Sequence, residues 1–173
     1  MVDLLECLLQ IKGLHETADR LVALVERAGA EQWNHPPGAE GPNAADLLAR
    51  LAEIEILHGV WLRLMLASAH PALPVSEEHG PVNVGRERHW EVREALECFL
   101  AGRRDNLELL DGCSANDLTR TGVHPIRREM TVADVVALML ATDVERLGEI
   151  RRALGAICYD RPALPTGLQE HQP

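Results

Sequence analysis

Residues 131–154, TVADVVALMLATDVERLGEIRRAL, are the stretch that decides the fold most clearly. Thr131, with Asp134 three residues later, is a typical helix N-cap, and Gly155 is a typical helix stop. Apolar residues follow at the three-and-four spacing of one helical face, namely Val132, Val136, Met139, Leu147, Ile150 and Leu154. The stretch therefore predicts one long amphipathic helix with a buried face.

Three further windows have the same character, and all ten prolines fall outside the four windows. They cover about residues 3–30, 43–68 and 85–111. In the first window the predicted buried stripe is Leu4, Leu8, Ile11, Ala18, Leu21 and Val25. Asn43, with Asp46 three residues on, is a typical cap for the second window.

Four amphipathic helices of similar length bury their stripes most simply against one another. The sequence therefore predicts an all-α, single-domain four-helix bundle over residues 1–158, followed by a Pro-containing tail over 159–173. The link at 69–86 is long enough to cross the bundle from end to end. Residues 114–129 predict one short helical turn followed by an extended stretch.

Composition excludes several classes of protein. The 173 residues have a formal net charge of −10, which disfavours a general nucleic-acid-binding role. Asp3 and Glu6 stand where a secretory signal needs basic residues, and no stretch is apolar enough for a membrane span. We expect a cytoplasmic protein with no membrane or nucleic-acid partner. The four cysteines form no CxxC pair, which argues against a zinc ribbon.

Several polar residues lie on or beside the predicted apolar faces, where a charge needs a partner. We expect them to face one another as the candidate site: Arg50, Glu55, Arg103, His124, Thr142, Asp143 and Arg146. Three interpretations stay open at this point. The residues form an interhelical ion-pair cluster, line a pocket for an anionic or hydrogen-bonding ligand, or point to solvent from rotated helices.

The sequence also disfavours a di-iron centre. Glu55 and His58 form an ExxH pair of the kind that di-iron bundle proteins use, but such a site needs a second copy of the motif. The sequence contains no second ExxH.

Three phrases, in order and at matching spacing, carry a family resemblance: NAADLLARLAEIE at 43–55, FLAGRRDNLELLDGCSANDLTRTGVHP at 99–125, and TVADVVALMLATDVERLGEI at 131–150. Together they cover about residues 42–150. The chain resembles the DinB/YfiT-like superfamily of bacterial four-helix bundles. The resemblance implies that bundle fold.

The same resemblance bears on metal binding. Members of the superfamily typically hold a divalent metal through three histidines, and several act as thiol-dependent transferases or hydrolases. Arg50, Thr142 and Arg146 stand at those three positions here. A guanidinium has no lone pair to offer a metal at neutral pH, so we expect neither a metal nor another cofactor. Glu55, Arg103, His124 and Asp143 match residues that surround the site in relatives.

Three functions are compatible with this sequence. The first is a metal-free protein that binds a small molecule or a partner in the former active-site pocket. The second is an enzyme in which Arg50, Arg146 and His124 act on an anionic or thiol-bearing substrate. The third is a structural or interaction protein.

Charge pairing within the candidate site and self-association are two further expectations. The three arginines outnumber Glu55 and Asp143 by one, which favours an anionic ligand. Alternatively, Arg50 pairs with Asp143 and Arg103 with Glu55, which leaves Arg146 at the solvent and no need for a ligand. We also expect a homodimer that pairs through helix faces.

Overall fold

The computed structural model describes residues 4–34, 42–75 and 90–155. Four long helices make up most of it, namely α1 (Leu4–Arg27), α3 (Ala44–Ala67), α4 (Val92–Asp111) and α5 (Val132–Ala153). A short helix, α2 (Ala30–Asn34), follows α1. A 3₁₀ turn at Asp117–Thr119 leads into a hairpin of β1 (Thr121–His124) and β2 (Arg128–Thr131). The predicted all-α bundle is confirmed, and so are the short turn and extended stretch before α5.

Both predicted helix caps form as the sequence indicates. The Asn43 side chain accepts a hydrogen bond from the Asp46 backbone N–H at 2.8 Å. Thr131 and Asp134 form a reciprocal capping box at the start of α5. These bonds satisfy backbone donors that a helix leaves unpaired in its first turn, so the sequence locates both starts closely.

The core consists of two apolar clusters, one at each end of the bundle. We call them the Trp61 end (with Leu14, Leu110 and Val136) and the Trp33 end (with Leu21, Phe99 and Ile150). The first halves of α1 and α5 lie at the Trp61 end, whereas the first halves of α3 and α4 lie at the Trp33 end. Helices α1 and α5 therefore run one way, and α3 and α4 run the other.

This direction explains the long link between α3 and α4. Helix α3 finishes at the Trp61 end and α4 starts at the Trp33 end, although the two pack directly against each other. The two residues that flank the predicted crossing link, Ala67 and Val92, therefore lie at opposite ends of the bundle. An up-down-up-down order is thereby excluded.

The hairpin closes the Trp61 end. Strands β1 and β2 are antiparallel, with Val123 opposite Glu129. The chain after α3 adds to the other edge of β1, where Val123 exchanges two backbone hydrogen bonds with Pro71 and Leu73. Arg120 donates to the carbonyls of Met65 and Ser68 at the end of α3.

The predicted stripe of α1 is partly wrong. Leu4 and Leu8 are 46% and 54% exposed, whereas Cys7 and Leu14 are buried. The first turns of α1 are apolar nearly all round, so spacing alone does not select the face that meets the core. Contact with α5 selects it, because Gly13 lies directly against Leu140.

Some predictions lie outside the described residues. They are the start of the third window near Gly85, most of the link at 69–86, and the tail at 159–173. Among the described helices, none is both long and apolar enough to cross a membrane.

Candidate functional site

A buried guanidinium lies between the two apolar clusters. Arg103, on α4, is 2% exposed. Its Nε and Nη2 donate to the two carboxylate oxygens of Glu55, on α3, at 2.9 and 2.7 Å. Its Nη1 and Nη2 donate to the two carboxylate oxygens of Asp143, on α5, at 2.7 and 2.9 Å. One arginine thus joins three helices through two bidentate pairs.

All five N–H groups of Arg103 are occupied, because Nη1 also donates to the Leu14 carbonyl at 2.9 Å. The guanidinium carbon lies 4.7 Å from the centroid of the Phe99 ring. Burial alone would lower the pKa of Arg103, but hydrogen bonds to Glu55 and Asp143 outweigh burial and hold that pKa above its ordinary value. Arg103 is therefore charged and has no donor left for a ligand.

The uncharged side chains of Thr17 and Asn106 also bind these carboxylates. We call the set the polar layer, which consists of Thr17, Glu55, Arg103, Asn106 and Asp143. The Thr17 hydroxyl donates to Asp143. The Asn106 amide donates to the carboxylate of Glu55 at 2.8 Å and to its backbone carbonyl at 3.1 Å. Every member is buried. The layer is a satisfied network that fixes how four helices pack.

Thr17 and Asn106 are the functional-site neighbours that sequence reasoning missed. Both occupy helical positions in line with buried neighbours, Thr17 three residues after Leu14 and Asn106 three after Arg103. That spacing indicates that both side chains face the core. A small polar side chain at such a position is equally typical of the solvent-exposed edge of a helix. Of the two pairings in the alternative prediction, Arg103 with Glu55 is present, whereas Asp143 is bound by Arg103 instead of Arg50.

The three residues at the positions that the resemblance assigns to metal ligands lie outside this layer. Arg50, Thr142 and Arg146 are all half-buried. Arg50 precedes Glu55 by five residues on α3, and Arg146 follows Asp143 by three on α5. Because the two helices are antiparallel, both arginines are displaced from the layer toward the Trp33 end.

Arg146 has an unusual hydrogen-bonding state. Its Nη1 donates to Glu149 one turn later, but its Nε is buried and contacts no acceptor. In the described part of the chain, no acceptor contacts Nη2 either. Nε and Nη2 form the edge that Arg103 uses to bind Glu55 bidentately. In Arg146 the Nε of this edge is without a protein acceptor.

Glu149 also changes the predicted charge balance. With it included, the three arginines of the region face three carboxylates, Glu55, Asp143 and Glu149. The expected excess of one positive charge is therefore absent. Any preference for an anion must come from the open edge of Arg146 instead of a local surplus of charge.

His124 lies apart from the other candidate residues, at the Trp61 end. Its ring stands edge-on to Trp61, with 5.0 Å between ring centroids. Its Nδ1 accepts hydrogen bonds from the backbone N–H groups of Ile126 and Arg127 at 3.1 and 3.0 Å. Because Nδ1 accepts, the ring proton of the neutral imidazole is on Nε2. His124 stabilises the hairpin turn.

The described residues at the candidate site do not fit a divalent metal. Among the described residues, no group of three or more His, Cys, Asp or Glu side chains is arranged to hold one. Guanidinium groups cannot coordinate a metal. The neighbouring carboxylates of Glu55 and Asp143 are already bound by Arg103.

Comparisons with known proteins agree with this fold. The sequence model of the DinB superfamily matches residues 14–150. A solved structure, YfiT from Bacillus subtilis, is similar with a TM-score of 0.75 and 17% sequence identity, over 90% of this chain and 91% of that one. YfiT is described as a probable metal-dependent hydrolase with an unusual four-helix bundle topology. No curated protein matches the sequence.

Proposed function

Since this chain belongs to the DinB superfamily, we propose that it is a member in which the metal site has become a binding site for a small molecule bearing a carboxylate or phosphate. The observation that carries this proposal is the buried Nε of Arg146 with no acceptor. A buried donor without a partner is costly, so native proteins rarely keep one without a reason. A bound carboxylate would supply the missing acceptor.

The geometry of arginine favours an oxyanion over other acceptors. The edge formed by Nε and Nη2 carries two parallel N–H groups, which match the two oxygens of a carboxylate or phosphate. Arg103 provides the internal example, because it holds Glu55 by that same edge at 2.9 and 2.7 Å. Arg146 has the same edge open, and Thr142 lies one helical turn earlier on α5.

A second orphan donor lies in the same half of the molecule. The indole Nε1 of Trp33 is buried and makes no hydrogen bond. Trp33 belongs to the apolar cluster that includes Leu147, the neighbour of Arg146. A ligand with an apolar body and an acidic group therefore suits the Trp33 end better than a bare inorganic ion.

The buried polar layer has a supporting role in this function. Arg103 is saturated, so it does not bind the ligand. It fixes α3 against α5, and these are the helices that carry Arg50 and Arg146. Rigid support of this kind holds a binding edge in position without contacting the ligand.

The alternative is an enzyme, either a hydrolase like YfiT, which is described as a probable metal-dependent hydrolase, or a thiol-dependent transferase. It would require a metal bound through groups other than Arg50, Thr142 and Arg146. Ester hydrolysis or thiol transfer that depends on added zinc and survives Arg146→Gln would favour this alternative. A purely structural protein would show neither turnover nor ligand binding.

Thermal unfolding in matched concentrations of sodium acetate, benzoate, phosphate and chloride tests the proposal. We expect benzoate or phosphate to raise the Tm of the parent above its value in chloride, because a ligand that binds only the folded state stabilises it. Arg146→Gln should abolish that shift. Arg151→Gln, which removes an exposed arginine from the same helix, is the matched control and should keep it. The absence of an anion-specific shift in the parent, or equal shifts in both variants, would contradict the proposal.

A further inference from the structure

The turn between β1 and β2 presents an apolar side chain next to two cations. Ile126 is 74% exposed, the most exposed large apolar side chain in the described part of the chain. Arg127 and Arg128 follow it and are also exposed. Within the described residues, neither arginine forms an ion pair, although the whole chain has a net charge of −10.

This turn is held rigidly. The imidazole of His124, itself buried, accepts the backbone N–H groups of Ile126 and Arg127. Arg128 has a φ of 68°, in the left-handed region that a side chain other than glycine rarely adopts. An exposed isoleucine in a fixed turn loses little conformational entropy when a partner covers it. These features are typical of a contact point.

A complementary surface lies between α1 and α4. A groove of about 390 Å³ runs between these helices, with Ala18, Leu100 and Leu107 along its apolar wall. Among the long helices, α1 and α4 pack against each other less extensively than the other neighbouring pairs do, and no other described element covers the groove between them.

The rim of the groove is acidic toward the end of α4. Glu108 and Asp111 line it, and no cation contacts either carboxylate within the described residues. The carbonyl end of the α4 dipole adds negative potential there. His15 and Arg104 also line the groove, and Arg104 lies one turn before Glu108 and 3.9 Å from Asp105. A cation is thus favoured at the Asp111 end of the groove.

We infer that the hairpin turn of one molecule docks into the α1/α4 groove of a second copy of this chain. Ile126 would cover the apolar wall, and Arg127 and Arg128 would face Glu108 and Asp111. The turn and the acidic end of the groove both lie toward the Trp61 end of the bundle. If the two contacts are reciprocal, a closed dimer with twofold symmetry results, in which each copy donates one hairpin and one groove.

Charge is the reason to choose a second copy as the occupant. Two molecules of net charge −10 repel each other over most of their surfaces. Contact is favourable where an unpaired basic apolar feature meets an unpaired acidic apolar one, and this chain carries both. This inference does not depend on ligand binding at Arg146, and the residues involved are different.

Sedimentation velocity over a range of protein concentrations tests the docking by charge reversal. The parent should dimerise, and added salt should weaken the dimer because exposed ion pairs are screened. Arg127→Glu with Arg128→Glu should raise the dimer Kd by at least about tenfold, and Glu108→Arg with Asp111→Arg should do the same. The combination of all four substitutions should restore the dimer.

Two control variants separate this interface from others. Arg151→Glu with Arg152→Glu makes the same change of net charge at the far end of α5 and should leave the dimer intact. Leu5→Glu with Leu9→Glu disrupts the exposed apolar face of α1, which is the alternative pairing surface. Circular dichroism checks that every variant folds, and the substituted side chains are all exposed in the monomer.

Several results would overturn the inference. A parent that stays monomeric at every concentration overturns the inference. So does a dimer that survives both single-sided charge reversals, or one that only the α1 variant disrupts. Failure of the four-substitution variant to reassociate, with its fold intact, also contradicts direct pairing of the hairpin with the groove.

Discussion

Arg103 shows what one buried charge does when every donor is used. It binds two carboxylates from two other helices and a carbonyl from α1, so it connects the four long helices at mid-height. An ion pair of this kind adds little net stability over an apolar core, but it specifies which helices meet and in which register. Removing one partner is costly because the others stay buried without neutralisation.

Replacement of Arg103 by methionine tests this role. Arg103→Met leaves Glu55 and Asp143 buried with no cation, and we expect a loss of about 3–5 kcal/mol in the free energy of unfolding. Urea denaturation followed by circular dichroism measures the loss. Arg104→Met, at an exposed neighbour on the same helix, is the control and should change the free energy by less than about 0.5 kcal/mol. Equal effects of the two variants would show that the layer does not stabilise the bundle.

Arg146 differs from Arg103, because its donors are not all paired. Its charge is balanced by Glu149, yet its buried Nε has no acceptor. Charge counting from the sequence included Arg146 and omitted Glu149, so the predicted surplus of positive charge was wrong. A count of charges in the sequence cannot predict the unpaired Nε, because that depends on how the guanidinium is oriented.

At the scale of elements, glycines decide how closely α3 approaches α4. A Cβ added at Gly59, on α3, would overlap the amide oxygen of Asn106 on α4 and approach Arg63. Asn106 holds Glu55 in the polar layer, so space at Gly59 and order in the layer are linked. Gly148, on α5, has no atom within 4 Å of such a Cβ.

Alanine at these two glycines should have opposite effects. Gly148→Ala should stabilise the protein by about 0.5–1 kcal/mol, because alanine has the higher helix propensity and meets no obstacle. Gly59→Ala should destabilise it by about 1–3 kcal/mol, because Asn106 must move and release Glu55. The Tm of each variant by calorimetry is the measurement. Stabilisation by Gly59→Ala would show that the α3/α4 contact is looser than described.

The helices themselves follow from local sequence signals. Caps at Asn43 and Thr131 start α3 and α5 where predicted, because a capping side chain acts on backbone donors only a few residues away. The buried face of α1 does not follow from local sequence signals. Leu4 and Leu8 fit the helical period as well as Cys7 does, and only contact with α5 decides which of them is buried.

In the whole molecule, the relative directions of α3 and α4 decide the order of the bundle. Helices α3 and α4 are parallel neighbours, so the end of α3 and the start of α4 lie at opposite ends of the bundle. The number of residues between the second and third windows is large enough to permit such a parallel pair. Three of the predicted site residues, Glu55, Arg103 and Asp143, do meet, because a charge on an apolar face must find a partner.

The remaining part of the site could not be predicted in this way. Which carboxylate meets which arginine depends on the rotation of each helix about its own axis, and several rotations bury a similar apolar area. His124 precedes α5 in the sequence but lies against Trp61, because the hairpin folds over the Trp61 end of the bundle. The membership of the buried layer and of the hairpin turn depends on these rotations and on how the hairpin folds.

We propose that Arg50, Thr142 and Arg146, which stand at the positions that the resemblance assigns to metal ligands, hold no metal. The most direct test is elemental analysis of tag-free protein after equilibration with zinc and gel filtration. We expect no stoichiometric zinc in the parent, and about one zinc per chain in the triple variant Arg50→His, Thr142→His and Arg146→His. One tightly held zinc per chain in the parent would contradict the claim.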